Sequence, residues 1–209
     1  MRFMLFNGVL LAILFFLPFG GELRAQDEEG QVAVQRVIFN RNASLTGDTR
    51  RWLETVVELN VSRPAGEDVF NPRYVDNIQI DLYISFDVSR GDVSRTRFYR
   101  SSVELPTLER GRHEIRFFLP PEVIGRDRIT SEPSTYLVQL SVDGLRQELS
   151  SDARARILRR DEVLESFMRR VESEAGANDG ILLPIHLTPF VNERQYFRDM
   201  PSIRRSNVR

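Results

Sequence analysis

The chain has 209 residues, with 29 basic and 30 acidic side chains and a formal charge of −1. It contains no cysteine, and because it also lacks lysine, every basic residue is arginine. These absences exclude disulfide bonds, thiolate zinc sites, cysteine nucleophiles and any chemistry that needs an ε-amine, such as a P-loop lysine for a nucleotide. The arginines are interleaved with carboxylates, which argues against a nucleic-acid-binding surface.

Residues 1–25 have the pattern of a secretory signal peptide. Arg2 supplies a positive charge, Val9 to Phe19 form an apolar run, and Ala25 offers a small residue for cleavage. About 11 apolar residues are too few to span a bilayer. We therefore expect an exported protein, periplasmic or secreted to the cell surface, that meets the membrane only if this segment stays uncleaved. Residues 26–31 are then a flexible N-terminus.

From residue 32 to 158 the chain consists of short segments in which apolar and polar residues alternate. The clearest is Ile78 to Val88, where every even-numbered residue is apolar. The same alternation is present over residues 53–61, 112–119 and 136–142. Period-two alternation is typical of strands with one buried and one solvated face.

Two further segments alternate less regularly. Val32 to Phe39 changes phase, which predicts a β-bulge and a first strand able to pass from one sheet to another. Residues 95–103 alternate poorly and are predicted to form an edge strand. Residues 63–72, 106–111 and 120–133 are rich in turn-forming residues.

Asp143-Gly144 lies between two alternating runs and predicts a tight hairpin, because both turn positions favour positive φ. Such a turn places Val142 opposite Leu145 and starts a return strand toward Leu158. Seven strands at this spacing predict a mainly β chain: an immunoglobulin-like sandwich of two antiparallel sheets over residues 32–158.

The segment Ser131 to Val138 resembles the tyrosine corner of immunoglobulin domains, with Tyr136 two residues before the position of a core cysteine, here Val138. The chain departs from that family in two respects. It has no cysteine pair, and Trp52 falls on the second predicted strand rather than the third.

The chain is also similar to small exported immunoglobulin-like proteins that accompany type IV pilus machinery in bacteria. The similarity rests on the signal peptide, the run Ile115 to Glu122, the Glu132-Pro133 lead into the sixth strand, and a C-terminal helix; it covers roughly residues 32–189. It implies a non-enzymatic assembly, adhesion or scaffold role, and it brings no site residues with it.

After the sandwich, residues 160–175 repeat apolar side chains with helical spacing, as in Val163, Phe167 and Val171. This pattern predicts an amphipathic helix that packs on an open end or edge of the sandwich, or docks a partner. Residues 176–209 contain prolines among apolar residues. This tail either adds a strand to a neighbouring sheet or covers its own domain.

No sequence motif indicates catalysis, a metal or a cofactor, so we expect a protein that is not an enzyme. His113 is more readily a structural imidazole than a ligand, and Asp81 and Asp87 lie too far apart on one strand to share an ion. Arg90-Gly91-Asp92, which integrin-type receptors read, is more readily a turn.

The candidate contact residues are aromatic. Four are expected on the solvated side of strands and three in the tail. All seven would contact a protein partner of the cell envelope or pilus assembly. They are Trp52, Tyr83, Tyr99, Phe118, Phe190, Tyr196 and Phe197. The main hypothesis is a binding or scaffold protein that uses strand edges and the tail. The alternatives are a carbohydrate-binding or adhesive module that stacks sugars on these rings, burial of the rings by helix and tail, and an enzyme with an unrecognised site.

Overall fold

Two four-stranded antiparallel sheets pack face to face in the computed structural model, which describes residues 31–62, 71–90, 92–196 and 201–203. The first sheet has the order β1-β2-β5-β8, with bounds Val32–Ala43, Trp52–Val61, Gly111–Leu119 and Leu183–Pro184. The second has the order β4-β3-β6-β7, with bounds Val93–Glu109, Tyr74–Arg90, Thr135–Val142 and Leu145–Arg146. The predicted fold class is confirmed.

The core lies between the two sheets and follows the alternation in the sequence. On β3 the even-numbered residues Ile80, Leu82 and Ile84 are fully buried, and they face Val57 and Phe117 among others on the first sheet. Ile80 pairs across the ladder with Leu140 and Leu82 with Val138, so the apolar side of β6 matches that of β3.

The β6–β7 turn forms as predicted, but the return strand does not. Asp143 (φ 50°) and Gly144 (φ 76°) both adopt positive φ, and Val142 pairs with Leu145. β7 then ends after two residues, and Leu145 is 72% exposed. The chain instead crosses to β1, where the Ser150 hydroxyl donates to the Val34 carbonyl at 3.0 Å. Residues 151–153 then form a 3₁₀ turn.

Strand β1 has the predicted bulge, a shift in register between Val34 and Arg36, but it pairs with β2 along its length and does not change sheets. Strand β4 is an edge strand, as predicted, but it runs on to Glu109 through the segment expected to be a turn. Pro106 is accommodated because it lies opposite Asn77 (φ 51°), whose carbonyl accepts from the Asp143 amide instead.

A short helix α1 (Pro121–Asp127) connects β5 to β6 across one end of the sandwich. A longer helix α2 (Asp161–Glu174) lies on the outer face of the second sheet, where its apolar stripe contacts Phe98 and Leu137. The Phe167 and Phe98 rings are 5.8 Å apart. The expectation that this helix packs on an end or edge is therefore wrong: the stripe covers a sheet face.

The tail closes the opposite side of the molecule. After α2 the chain passes the β4 edge, where Arg100 pairs with Asp179 at 2.6 Å. Strand β8 then joins the first sheet beside β5, and Leu182 enters the core. The following 3₁₀ turns cover the outer face of the first sheet. The tail thus adds a strand to its own sheet, and each sheet has its own cover.

Candidate functional site

The aromatic residues predicted from the sequence to contact a partner are, with one exception among those described, buried. Trp52, Phe118, Phe190 and Tyr196 meet in one cluster between the first sheet and the tail. Tyr99 points into the main core, where its ring lies 5.8 Å from that of Phe86. The premise that the strand aromatics are solvated is therefore wrong for Trp52, Tyr99 and Phe118. Tyr83 is half-buried beside α2, and Phe197 lies outside the described residues.

The tail is held on the first sheet by ring packing. Phe190 stacks on Phe118, with centroids 4.3 Å apart and planes 11° from parallel, and Trp52 meets Phe190 edge to face at 5.4 Å. Tyr196 packs against both Phe118 and Phe190. Such aromatic pairs add about 0.5–1.5 kcal/mol each beyond the area that they bury.

Three charged side chains, of which one is buried, lie at the border of this cluster. The Arg116 guanidinium bridges the carboxylates of Glu54 and Glu114, and its carbon lies 5.0 Å from the centre of the Tyr196 ring. Burial, with Glu54 nearby, raises the pKa of the Tyr196 phenol to about 12. The tail therefore covers charged groups as well as apolar rings, and its predicted contact rings Phe190 and Tyr196 are themselves buried.

The most distinctive open surface is a cleft at the α1 end of the sandwich, where the β3–β4 hairpin extends beyond the start of β6. Its volume is about 560 Å³. Four guanidiniums, one carboxylate, one hydroxyl and two apolar side chains line it. They belong to Arg95, Arg97, Arg126, Arg128, Asp127, Ser89, Val88 and Val93. We call it the arginine cleft.

The fold brings these arginines together from two separate elements. Arg95 and Arg97 lie on β4 opposite Val88 and Phe86, so they continue the inner face of the second sheet past the end of the core. Arg126 and Arg128 flank the C-terminal end of α1, where Arg128 adopts a left-handed conformation (φ 55°). In the described part of the chain, the side chains of Arg95 and Arg128 make no hydrogen bond or ion pair.

Asp127 fixes the floor of the arginine cleft. Its carboxylate accepts hydrogen bonds from Arg126, at 2.6 Å, and from the Tyr99 hydroxyl, and lies 3.8 Å from Arg97 Nε. Burial opposes ionisation of this carboxyl, but Arg126, Tyr99 and Arg97 outweigh burial and lower the pKa of Asp127 below its usual range. Burial and the hydrogen bond to Asp127 raise the pKa of Tyr99.

Asn178 links this floor to the cover of the second sheet. Its side-chain oxygen accepts from Arg126 at 3.0 Å, and its side-chain nitrogen donates to the Phe98 carbonyl at 2.9 Å. Arg126 is thus held from two sides, while Arg95 and Arg128 at the mouth remain unpaired in the described structure. Arg126 is thus fixed in place, and Arg95 and Arg128 are available to pair with a ligand. This arrangement suits the binding of an anionic group.

A second cleft, of about 490 Å³, lies on the other side of α1, between the end of β1 and the segment after α1. Arg41, Arg51 and Glu132 line it together with the apolar side chains of Phe39 and Ile129. The α1 end of the sandwich therefore has two concave surfaces, and the one next to the β3–β4 hairpin is the more basic.

Other candidate sites weighed in the sequence gain no support from the described residues. Among them there is no group of three metal-ligating side chains. The His113 imidazole lies 2.6 Å from the Glu109 carbonyl, as expected of a structural histidine. Arg90 and Asp92 flank the tip of the β3–β4 hairpin, but Gly91 is outside the described residues. No helix within the described ranges has the length and apolarity to cross a membrane.

No family model and no curated protein matches the sequence. Among solved structures, the chain is similar to a crystal structure from Akkermansia muciniphila, with 17% identity and a TM-score of 0.62. The match covers 85% of this chain and 95% of the other. At this identity the likeness shows a shared fold alone. The sheet orders are consistent with an immunoglobulin-like sandwich in which β8 takes the edge position beside the fifth strand.

Proposed function

We propose that this chain is a non-enzymatic, exported binding or scaffold protein that contacts a protein partner of the cell envelope or pilus assembly. The observation that supports it is the self-covered sandwich: α2 covers one outer face and the tail covers part of the other. The pilus association rests on the resemblance of the sequence to exported pilus-associated immunoglobulin-like proteins.

The contact surface that we propose is the α1 end, rather than the tail. The arginine cleft and the second cleft flank α1 there, and the adjoining end of β1 is an exposed sheet edge with Asn40 and Arg41 on its surface. Ends of immunoglobulin-like sandwiches carry loops on a rigid scaffold, an arrangement that suits recognition.

Capture from envelope extracts tests this assignment. The processed protein is immobilised as wild type, as the α1-end variant Arg41→Gln/Arg95→Gln, and as the opposite-end control Arg110→Gln/Arg112→Gln. We expect the wild type and the control to retain the same envelope proteins, and the α1-end variant to lose them. Equal retention by all three proteins would contradict the placement of the contact surface, and capture of no envelope protein would contradict the binding role.

Export is tested separately by mass spectrometry of the protein in its native cell. We expect an N-terminus at Gln26 and recovery in the periplasmic or secreted fraction. An intact Met1 in the cytoplasmic fraction would contradict the proposed location.

A carbohydrate-binding role is the second candidate, supported by one observation. Among the aromatic residues predicted as contacts, Tyr83 is half-exposed and lines a groove of about 480 Å³ with Gln79, Asp81 and Ser102, polar groups that suit a sugar. A glycan array compares wild type with Tyr83→Ala and with the control Tyr74→Ala, at the start of β3 outside the groove. Binding lost in the first variant alone would support this role.

A further inference from the structure

The arginine cleft combines a strong positive charge with an apolar wall. Four guanidiniums face one carboxylate, although the whole chain carries a formal charge of −1. The apolar wall consists of Val88 and Val93, and Val93 is 53% exposed at the start of β4. Arg95 and Arg128 have no partner among the described residues, and an exposed valine beside them is more than a solvated surface requires.

We propose that the arginine cleft binds an acidic segment of a partner protein, with carboxylate side chains on Arg95 and Arg128 and an apolar side chain on Val93. This proposal rests on the proposed function and names the chemistry of the partner. Guanidinium groups pair with carboxylates through two parallel N–H···O bonds, and arginine is the basic residue best suited to that planar geometry.

The shape and composition of the cleft favour a peptide over a small inorganic anion. A volume of about 560 Å³ is far larger than a single phosphate or sulfate fills, and an apolar wall gives such an ion nothing to contact. An acidic segment supplies both carboxylates and apolar side chains. The exposed ends of β3 and β4 also leave room for an extended chain to lie along the hairpin.

The floor of the cleft explains why the site is ready to bind. Arg126 is already paired with Asp127 and Asn178, so its position is set before a ligand binds. It lies where it adds positive potential without losing side-chain freedom on binding. Arg95 and Arg128, which have no partner in the described structure, are the groups left to pair with the ligand.

Fluorescence anisotropy of the full processed protein with a labelled peptide tests the proposal. The probe alternates Glu with Val, and the comparison peptide replaces every Glu with Gln. The test variant is Arg95→Gln/Arg128→Asn, because asparagine tolerates the left-handed backbone at position 128. The control is Arg110→Gln/Arg112→Gln, which removes the same charge from the opposite end of the sandwich.

We expect the acidic peptide to bind wild type and control alike, with an affinity that falls as salt rises, and the test variant to bind about tenfold more weakly. Binding of the glutamine peptide with equal affinity, or equal weakening by the control, would overturn the proposal. Inorganic phosphate and unlabelled acidic peptide are also compared as competitors of the labelled peptide. If phosphate displaces it at the lower concentration, the cleft binds a small anion and the proposal is overturned. Should the test variant still capture its envelope proteins, the proposed function stands and this assignment of the cleft fails.

Discussion

Asp127 connects the core of the protein to its proposed binding surface. The carboxylate is almost fully buried, yet it accepts hydrogen bonds from Tyr99, a core residue, and from Arg126, which lines the arginine cleft. A buried carboxylate of this kind is tolerated because its oxygens are satisfied by charged and polar donors. The same residue therefore contributes to stability and fixes the position of an arginine at the cleft.

Replacing Asp127 by asparagine should lower the free energy of unfolding by about 2 kcal/mol, because Arg126 and Arg97 lose their shared carboxylate while Tyr99 loses a charged acceptor. Urea denaturation measures the change. The matched control is Asp179→Asn, whose half-exposed ion pair with Arg100 should be worth less than about 1 kcal/mol. Equal losses in the two variants would contradict the role assigned to Asp127.

The contribution of Asp127 should also depend on pH in a defined direction. Its pKa in the folded protein lies below the value of about 3.9 expected in the unfolded chain. The stability that it supplies is therefore complete above that pH and is lost as the pH falls through the folded value. The gap in unfolding free energy between wild type and Asp127→Asn should be constant near neutral pH and shrink below about pH 4. A gap that is unchanged at acid pH would contradict this.

At the scale of elements, alternation predicts the strands whose outward positions are mostly polar, and it fails where apolar residues occupy both faces. β3 alternates clearly in the sequence, and its inner residues are those predicted. In β4, by contrast, Phe98 is buried under α2 and its neighbour Tyr99 is buried in the core, so no period of two remains. Adjacent aromatics such as Phe117-Phe118 are the sequence signal that both faces are covered.

The predicted return strand fails to form for a different reason. The odd-numbered apolar residues from Leu145 onward suggest a strand, but Leu145 and Ile157 are exposed and only Ala153 on that side is buried. Local alternation cannot reveal that the Ser150 hydroxyl bonds to β1, since that contact joins residues 116 positions apart. Tertiary contacts override the pattern here.

The tail should behave as part of the folded domain. Phe190→Ala removes a fully buried ring that stacks on Phe118, and should lower the free energy of unfolding by about 3–5 kcal/mol. Leu187→Ala, at a position 61% exposed in the same tail, should change it by less than about 0.5 kcal/mol.

Trp52 reports on the same prediction independently, because it is the single tryptophan of the chain and packs against Phe190. Its fluorescence emission should shift to longer wavelength in Phe190→Ala and stay unchanged in Leu187→Ala. If neither the stability nor the emission changes in Phe190→Ala, the tail does not cover the first sheet in solution.

At the scale of the whole molecule, the chain forms four layers: tail, first sheet, second sheet and α2. The sequence predicts the two central layers. It does not predict the arginine cleft, because Arg95 and Arg97 are about 30 positions from Arg126 and Arg128, and the chain has 29 arginines. Only the folded hairpin and α1 bring these four together.

We expect partners to contact the α1 end of the sandwich, because the chain covers its own sheet faces. Site-specific photocrosslinking in the native cell tests it most directly, with a photoreactive amino acid at Val93, at Leu145 or at Glu172. Val93 and Leu145 are exposed apolar residues at opposite ends, and Glu172 is exposed on α2. We predict crosslinks to an envelope protein from position 93 alone. Crosslinks from position 145 or 172 with none from 93 would show that partners do not contact the α1 end.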